Sequence, residues 1–449
     1  MSGREAGVLV QAAGPAASVL VRGARVLDPG EGIDAKLDVL VGGGRVAALG
    51  SALEVPPHTA VVEADGCTLL PAFIDPHVHF RTPGQEHKED LATGTAAAAA
   101  GGYCSVLAMP NTDPVVDTPQ VLDSLHERAA IDARVRVGFL AAISAGLEGE
   151  QLAPLGELAD HGACGYSDDG RPVLSASLLR RALQYAATTG RVLSLHCEDT
   201  SLSRAADMHE GAVCARLGLV GYPSIAESTM IGRDLRIARY ESRPLHICHL
   251  HVAESVEEVR LARTWGVDVS AEASPHHLLL TDEEVLSLDA ARFKMSPPLA
   301  AEPHRQALIA GLRDGTIDCI ATDHAPHHPA EKEVPFPAAP NGVIGLETAF
   351  PALMLGLVEP GVVALELIVE RMTAGPARAF GLPRPRIAVG AEADLALWDL
   401  RERYTVRGSD LVSRSRNCAF LGREVQGRCL LTLAGGRVAH AAAAAGVAA

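Results

Sequence analysis

Between residues 70 and 322 the chain alternates short apolar runs with stretches whose apolar side chains recur at helical spacing. The runs at 70–75, 104–109, 134–143, 163–167, 192–197, 245–250, 267–273 and 318–322 read as strands. Helical stretches fall between them. Glu89–Ala100 ends at Gly101-Gly102 and Ala176–Thr188 is closed by Gly190, the residue type that terminates helices. Eight strands alternating with helices predict parallel βα units, and eight such units close as a (β/α)8 TIM-type barrel over 71–383.

The flanks have a different texture. Val39-Leu40-Val41-Gly42-Gly43-Gly44-Arg45-Val46-Ala47 and Leu431-Thr432-Leu433-Ala434-Gly435-Gly436-Arg437-Val438-Ala439 each read as strand, glycine turn, strand. Ala393–Leu400 adds another alternating strand. Residues 18–70 and 384–439 therefore predict one small β-sandwich built from both ends of the chain, with the barrel inserted between them. Residues 1–17 and the Ala-rich stretch 440–449 read as untethered tails.

Composition narrows the class. The length of 449 residues suits one large barrel plus an appendage, and 48% hydrophobic with 21% charged residues is the balance of a globular protein. Acids outnumber bases 55 to 39, giving a net charge of −16, which argues against a nucleic-acid partner. The nine cysteines are scattered and never spaced Cys-x-x-Cys, the pattern of reduced thiols in a cytoplasmic protein. No apolar run approaches the roughly 20 residues that cross a bilayer, and no signal peptide is apparent.

The candidate chemistry sits where the strands end, which is where barrel enzymes place it. In Asp75-Pro76-His77-Val78-His79, residues two apart along a strand share a face, so both imidazoles can aim at one point. Asp168-Asp169-Gly170 reads either as a turn or as a ligand. His196 ends the fifth strand. His249 ends the sixth in His246-Ile247-Cys248-His249-Leu250-His251, where three histidines at odd and even offsets cannot all face one way, so one or two of them are structural. Asp323 ends the eighth. Imidazoles and carboxylates at five of eight strand ends make a set suited to Zn²⁺, which lowers the pKa of its water to about 7.

These residues lie in motifs that resemble the amidohydrolase superfamily, and within it the class I dihydroorotases. The motifs are Asp75-Pro76-His77-Val78-His79-Phe80-Arg81, Met109-Pro110-Asn111-Thr112, Ser167-Asp168-Asp169-Gly170, His196-Cys197-Glu198-Asp199, Pro275-His276-His277-Leu278 and Ala321-Thr322-Asp323-His324-Ala325-Pro326-His327. The resemblance implies one or two zinc ions, with His77 and His79 on one, His196 and His249 on the other, and Asp169 between them. It also implies Asp323 as ligand and proton shuttle. Hydantoinases, allantoinases and class II dihydroorotases usually bridge with a carboxylated lysine, and this chain has Asp169 at that strand end instead, which is why the resemblance is to class I.

For substrate, the resemblance implies that Arg81, Asn111 and His327 clamp a carboxylate, with His79, Ser296, Asn341 and Gly342 around the ring. A planar, permanently charged guanidinium fits a carboxylate. The chain departs from the family at Lys294-Met295-Ser296-Pro297-Pro298-Leu299, where Asn is usual for Ser296, and at Arg81-Thr82-Pro83-Gly84, where Glu is usual for Thr82. The segment His327–Gly342 reads as a loop over the site. The activity implied is the reversible interconversion of L-dihydroorotate and N-carbamoyl-L-aspartate, a step of pyrimidine biosynthesis. The alternatives are another cyclic amidohydrolase, of the hydantoinase or allantoinase kind, and an inactive scaffold for aspartate carbamoyltransferase. Association with that transferase and homo-oligomerisation are the macromolecular partnerships the resemblance brings with it.

Overall fold

The structure, a computed structural model, describes residues 7–445. Eight parallel strands follow one another around a barrel: Phe73–Val78, Tyr103–Ala108, Arg136–Ala141, Gly165–Tyr166, Leu193–Leu195, Leu245–Ile247, Val269–Ala273 and Cys319–Ile320. They are buried almost throughout because helices cover their outer faces and side chains fill the interior. The last strand meets the first through a bridge between Val78 and His324. Buried Asp75 fastens the same seam, accepting from Thr322 Oγ1 at 2.5 Å and Thr322 N at 3.2 Å.

The first barrel strand begins three residues later than the sequence pattern places it. Thr68–Pro71 is a separate strand of the other sheet, paired with Leu395–Thr405. Pro71 ends it because proline has no N–H to continue a ladder. His77 consequently lies within the barrel strand and His79 just beyond it. The helix Leu91–Ala100 starts at Asp90, whose carboxylate accepts from Thr93 N at 2.8 Å. At its other end Gly102 has φ +82°, and a Cβ there would meet the Trp398 ring at 2.5 Å. Ala176–Thr189 is closed by Gly190 in the left-handed conformation, as its sequence predicts.

Both chain ends contribute to the second sheet. Its order is Arg437–Ala441, Glu424–Ala434, Leu395–Thr405, Thr68–Pro71, Val19–Asp28, Ile33–Gly42 and Arg45–Gly50, with Ala60–Glu63 beside Val19–Asp28. It is one mixed sheet folded over a single core that includes Val21, Val39, Leu69, Leu397 and Leu433. The two glycine hairpin turns touch each other, since a Cβ on Gly436 would lie 2.4 Å from Gly44 O. Phe73, Phe350 and Trp398 join barrel and sheet, with Phe350 at 4.9 Å from Phe73 and 4.5 Å from Trp398.

Of the two expected tails, residues 1–6 and 446–449 lie outside the described residues. Residues 7–12 run as a strap across the N-terminal ends of the barrel strands. Val8 N donates to Gly162 O, and Val10 exchanges hydrogen bonds with Val137 at 2.9 and 2.8 Å. Leu9 and Val10 pack on the barrel core, which accounts for the attachment.

Glu89 ties the start of the first barrel helix to the segment entering the last sheet strands. Its carboxylate accepts from Thr93 Oγ1, Ser413 Oγ and Arg414 N, and faces His324 Nε2 at 3.5 Å. Burial pushes its pKa up, but His324, Ser413 and Thr93 outweigh burial and hold it below the usual glutamate value. Its contribution is therefore complete above the unfolded value of about 4.3 and is lost as pH falls through the lower folded value. Glu89→Gln is expected to cost about 2–3 kcal/mol at neutral pH, read by denaturant unfolding. The difference between variant and parent should shrink as the solution is acidified.

Candidate metal centre and active site

All six predicted ligands converge at the C-terminal mouth of the barrel. Asp169 lies at the middle. Its Oδ1 is 3.4 Å from His249 Nε2, 3.5 Å from His77 Nε2 and 3.6 Å from His196 Nδ1, while Oδ2 is 3.5 Å from His79 Nε2. Asp323 Oδ1 approaches His79 Nε2 at 3.1 Å and His77 Nε2 at 3.5 Å. His196 Nδ1 and His249 Nε2 are 3.0 Å apart. Two of the residues hold left-handed backbone, His249 at φ +28° and Asp323 at φ +48°, and Arg81 beside them is at φ +60°. Non-glycine residues adopt such conformations where the surroundings over-determine them, commonly at functional sites.

The neighbouring candidates point elsewhere. Asp168 turns inward, accepting from Ile143 N at 2.8 Å, Ser144 N at 3.0 Å and Ser144 Oγ at 2.5 Å. His251 Nδ1 is 2.8 Å from Glu227 and His246 Nε2 is 3.1 Å from Glu272, so of these three histidines only His249 enters the site.

The residues present fit a divalent cation. His77 Nε2 and Asp169 Oδ1 are buried, face one another and lack any hydrogen-bond partner. His77, Asp169 and His249 present ligand atoms within 4.8 Å of one another, as do His77, His79 and Asp323. Electrostatics agrees. Burial disfavours charge on His77, yet Asp169 and Glu272 outweigh it and push its pKa well up. Burial acts against charge on Asp169 too, and His77, His196 and His249 hold it well below the carboxylate range. Carboxylates this close call for positive charge, which an ion supplies better than protons shared among histidines.

Ring tautomers are set from outside. His79 Nδ1 is 2.9 Å from Asn111 Oδ1, His196 Nε2 is 3.1 Å from Glu198 Oε2, and His77 Nδ1 is 2.6 Å from Glu272 Oε1. Each partner is an acceptor, so in the neutral form of each ring the opposite nitrogen, which faces Asp169, carries the lone pair. Glu198 and Glu272 were not among the residues the sequence singled out. For Glu272 a signal existed: a carboxylate inside the apolar run 267–273 must be paired.

The ligand cluster opens into a cavity of about 400 Å³. Arg81, Asn111, Ser296, His327, Asn341 and Gly342 all line it. Arg81 donates from Nε to Pro326 O at 3.1 Å, leaving its terminal nitrogens without a protein acceptor among the described residues. Asn111 is more engaged than its motif suggests, since its amide also reaches Asp169 O at 3.4 Å. His327 Nε2 donates to Asn341 O at 2.8 Å. Burial, then the Arg81 charge, push the His327 pKa down to about 3, so it is neutral and its one N–H is already engaged. Arg81 is thus the permanently charged cation among the residues that line the cavity. The opposite wall, including Asp207 and Tyr222, comes from an insertion between the fifth strand and the helix Ile225–Glu241.

The loop 327–342 is fastened beside the cavity, which its two ends, His327 and Asn341-Gly342, line. Lys332 Nζ donates to Pro340 O at 2.7 Å and Lys294 O at 3.0 Å. Asn417 Nδ2 donates to Ala325 O and Gly342 O. Among the described residues no helix is long and apolar enough to cross a membrane.

A family model described as dihydro-orotase-like matches residues 66–255. The dihydroorotase of Anaeromyxobacter sp. (strain K) is 46% identical, covering 94% of this chain and 98% of its own. That of Geobacter sp. (strain M21) is 44% identical, covering 95% and 100%. Among solved structures, the L-hydantoinase (dihydropyrimidinase) of Arthrobacter aurescens superposes with a TM-score of 0.82 at 26% identity, over 94% of this chain and 95% of that one. The dihydropyrimidinase of Brevibacillus agri NCHU1002 gives 0.80 at 25% identity, over 94% of each. The barrel and its appended sheet are therefore shared across cyclic amidohydrolases, and sequence identity at this level over nearly the full length of both chains shows that this chain belongs to the dihydroorotase family.

Proposed function

We propose that the protein catalyses the reversible hydrolysis of L-dihydroorotate to N-carbamoyl-L-aspartate. The observation that carries this reading is Arg81, a half-buried guanidinium whose terminal nitrogens have no protein acceptor among the described residues, on the wall of a cavity floored by a His/Asp cluster that could hold a metal ion. A cyclic amide bearing a carboxylate satisfies both halves. A hydantoin or allantoin ring carries no carboxylate and would leave Arg81 unpaired.

His77, His79, Asp169, His196, His249 and Asp323 would hold the ion, and zinc suits their nitrogen and oxygen donors. When bound, such an ion polarises the scissile carbonyl and provides a nucleophilic water at neutral pH. Asp323 manages the proton. Burial raises its pKa, but His77 and His79 outweigh burial and hold it below the ordinary carboxylate value, so the carboxylate is available as a base. It accepts the water's proton and delivers it to the departing ring nitrogen. Arg81 binds the substrate carboxylate, Asn111 keeps His79 oriented, and Ser296, Asn341 and Gly342 border the ring. The nine free cysteines, eight of them buried, suit a reducing cytoplasm.

Arg81→Ala tests the clamp. A charge-assisted pair contributes about 1.5–3 kcal/mol, so kcat/KM for dihydroorotate should fall roughly 10- to 150-fold, mostly through KM, with metal content unchanged. An unaltered KM would contradict the assignment.

A further inference from the structure

We propose that Glu272 is a positioning residue for the metal centre: its buried carboxylate holds His77 as the Nδ1–H tautomer and steadies His249 from beneath, so that His77 Nε2 presents its lone pair to the ion. The inference rests on the metal-dependent reading above and extends it to a residue that does not border the substrate cavity.

Glu272 lies in the strand Val269–Ala273, among Val269, Ala271 and Ala273, and is 1% exposed. Each carboxylate oxygen has a defined task. Oε1 is 2.6 Å from His77 Nδ1 and also accepts from His249 N at 3.3 Å. Oε2 is 3.1 Å from His246 Nε2, and His246 Nδ1 is in turn 2.9 Å from Ser270 Oγ. The Glu272 backbone joins in, since its carbonyl accepts from Leu250 N at 2.9 Å. One side chain therefore links the strand carrying His77, the strand end carrying His249, and its own strand. An ionised carboxylate only accepts, so the proton of neutral His77 must be on Nδ1. That leaves Nε2 bare, buried and without a hydrogen-bond partner, 3.5 Å from both Asp169 and Asp323. The negative charge behind the ring also makes Nε2 a better donor, as carboxylate–histidine pairs do at metal sites.

Asn111 and Glu198 hold the outer nitrogens of His79 and His196 in the same way, and Asn111 also reaches the Asp169 backbone. Glu272 serves the His77 ring and the His249 backbone N–H, and His246 buttresses it. A competing role exists, because His77, Cys248 and Glu272 also present ligand atoms within 4.8 Å of one another. If Glu272 were a ligand in a further metal site, its loss would remove a metal equivalent instead of weakening those already bound.

Glu272→Gln separates these outcomes. The amide is isosteric and its oxygen still accepts from His77 Nδ1, while the charge behind the ring is gone. Competition against a chromophoric chelator should show zinc bound about 10- to 100-fold more weakly, and the cobalt-substituted protein should show a shifted d–d band. The metal-free variant should still unfold in one cooperative transition, which separates weakened zinc binding from loss of the fold. Unchanged zinc affinity with an unchanged cobalt spectrum would overturn the proposal, and so would loss of one metal equivalent at saturating zinc. A parent protein that holds no metal at all would instead refute the metal-dependent reading itself. Should the Gln variant not fold, the zinc-loaded parent decides. Nitrogen-15 spectra of its histidines should show His77 protonated at Nδ1 and metal-bound through Nε2, and the reverse tautomer would overturn the assignment.

Discussion

Asp169→Ala is expected to strip the protein of metal and abolish its turnover. Asp169 is the one side chain within 3.6 Å of all four site histidines, and its Oδ1 has no other partner. Without it, His196 and His249 confront each other at 3.0 Å with no anion between them. Loss of an outer partner costs about 10–100-fold in metal affinity, and removal of this central ligand should exceed the upper figure. Asp168→Ala provides the contrast. Asp168 holds Ile143 N and Ser144, so its loss should cost about 2–3 kcal/mol of stability and leave metal content intact. Elemental analysis and denaturant unfolding on both variants check the pair of statements. Retention of metal by Asp169→Ala would place the ligand elsewhere.

Asp323→Asn should act on rate more than on binding. The carboxamide keeps the shape and an oxygen near His79, but it takes up no proton. Removal of a general base typically lowers kcat by about 10²–10⁴-fold, and KM should change little because Arg81 still receives the carboxylate. A kcat within a few-fold of the parent's would exclude Asp323 as the proton carrier. The two variants are distinguishable, since Asp323→Asn should retain more metal than Asp169→Ala.

Much of this site was legible because barrel chemistry sits where apolar strands stop: His79, His196, His249 and Asp323 each come just after such a stop, and His77 lies one residue inside the end of the first strand. The choice between Asp168 and Asp169 was not legible from spacing. Gly165–Tyr166, the strand before them, has two residues and offers no alternation to fix which neighbour faces the axis. The first strand was misplaced by three residues because Thr68–Val78 is apolar on both sides of Pro71, and only the pairing with Leu395–Thr405 assigns its first part to the other sheet. The strap at 7–12 looked like a tail because it is held by backbone bonds to Val137 and Gly162, partners more than 120 residues away that no local pattern reveals. The resemblance implies a clamp of Arg81, Asn111 and His327. In the structure Asn111 and His327 already hydrogen-bond to the protein, while the terminal nitrogens of Arg81 have no protein acceptor among the described residues.

A substrate panel run alongside metal analysis of the same sample tests the metal cluster and the carboxylate-bearing cyclic amide together. The purified protein should contain zinc and interconvert L-dihydroorotate and N-carbamoyl-L-aspartate in both directions, with dihydropyrimidines, hydantoins and allantoin left intact. A zinc-loaded protein that hydrolyses those uncharged rings and leaves dihydroorotate untouched would contradict the account.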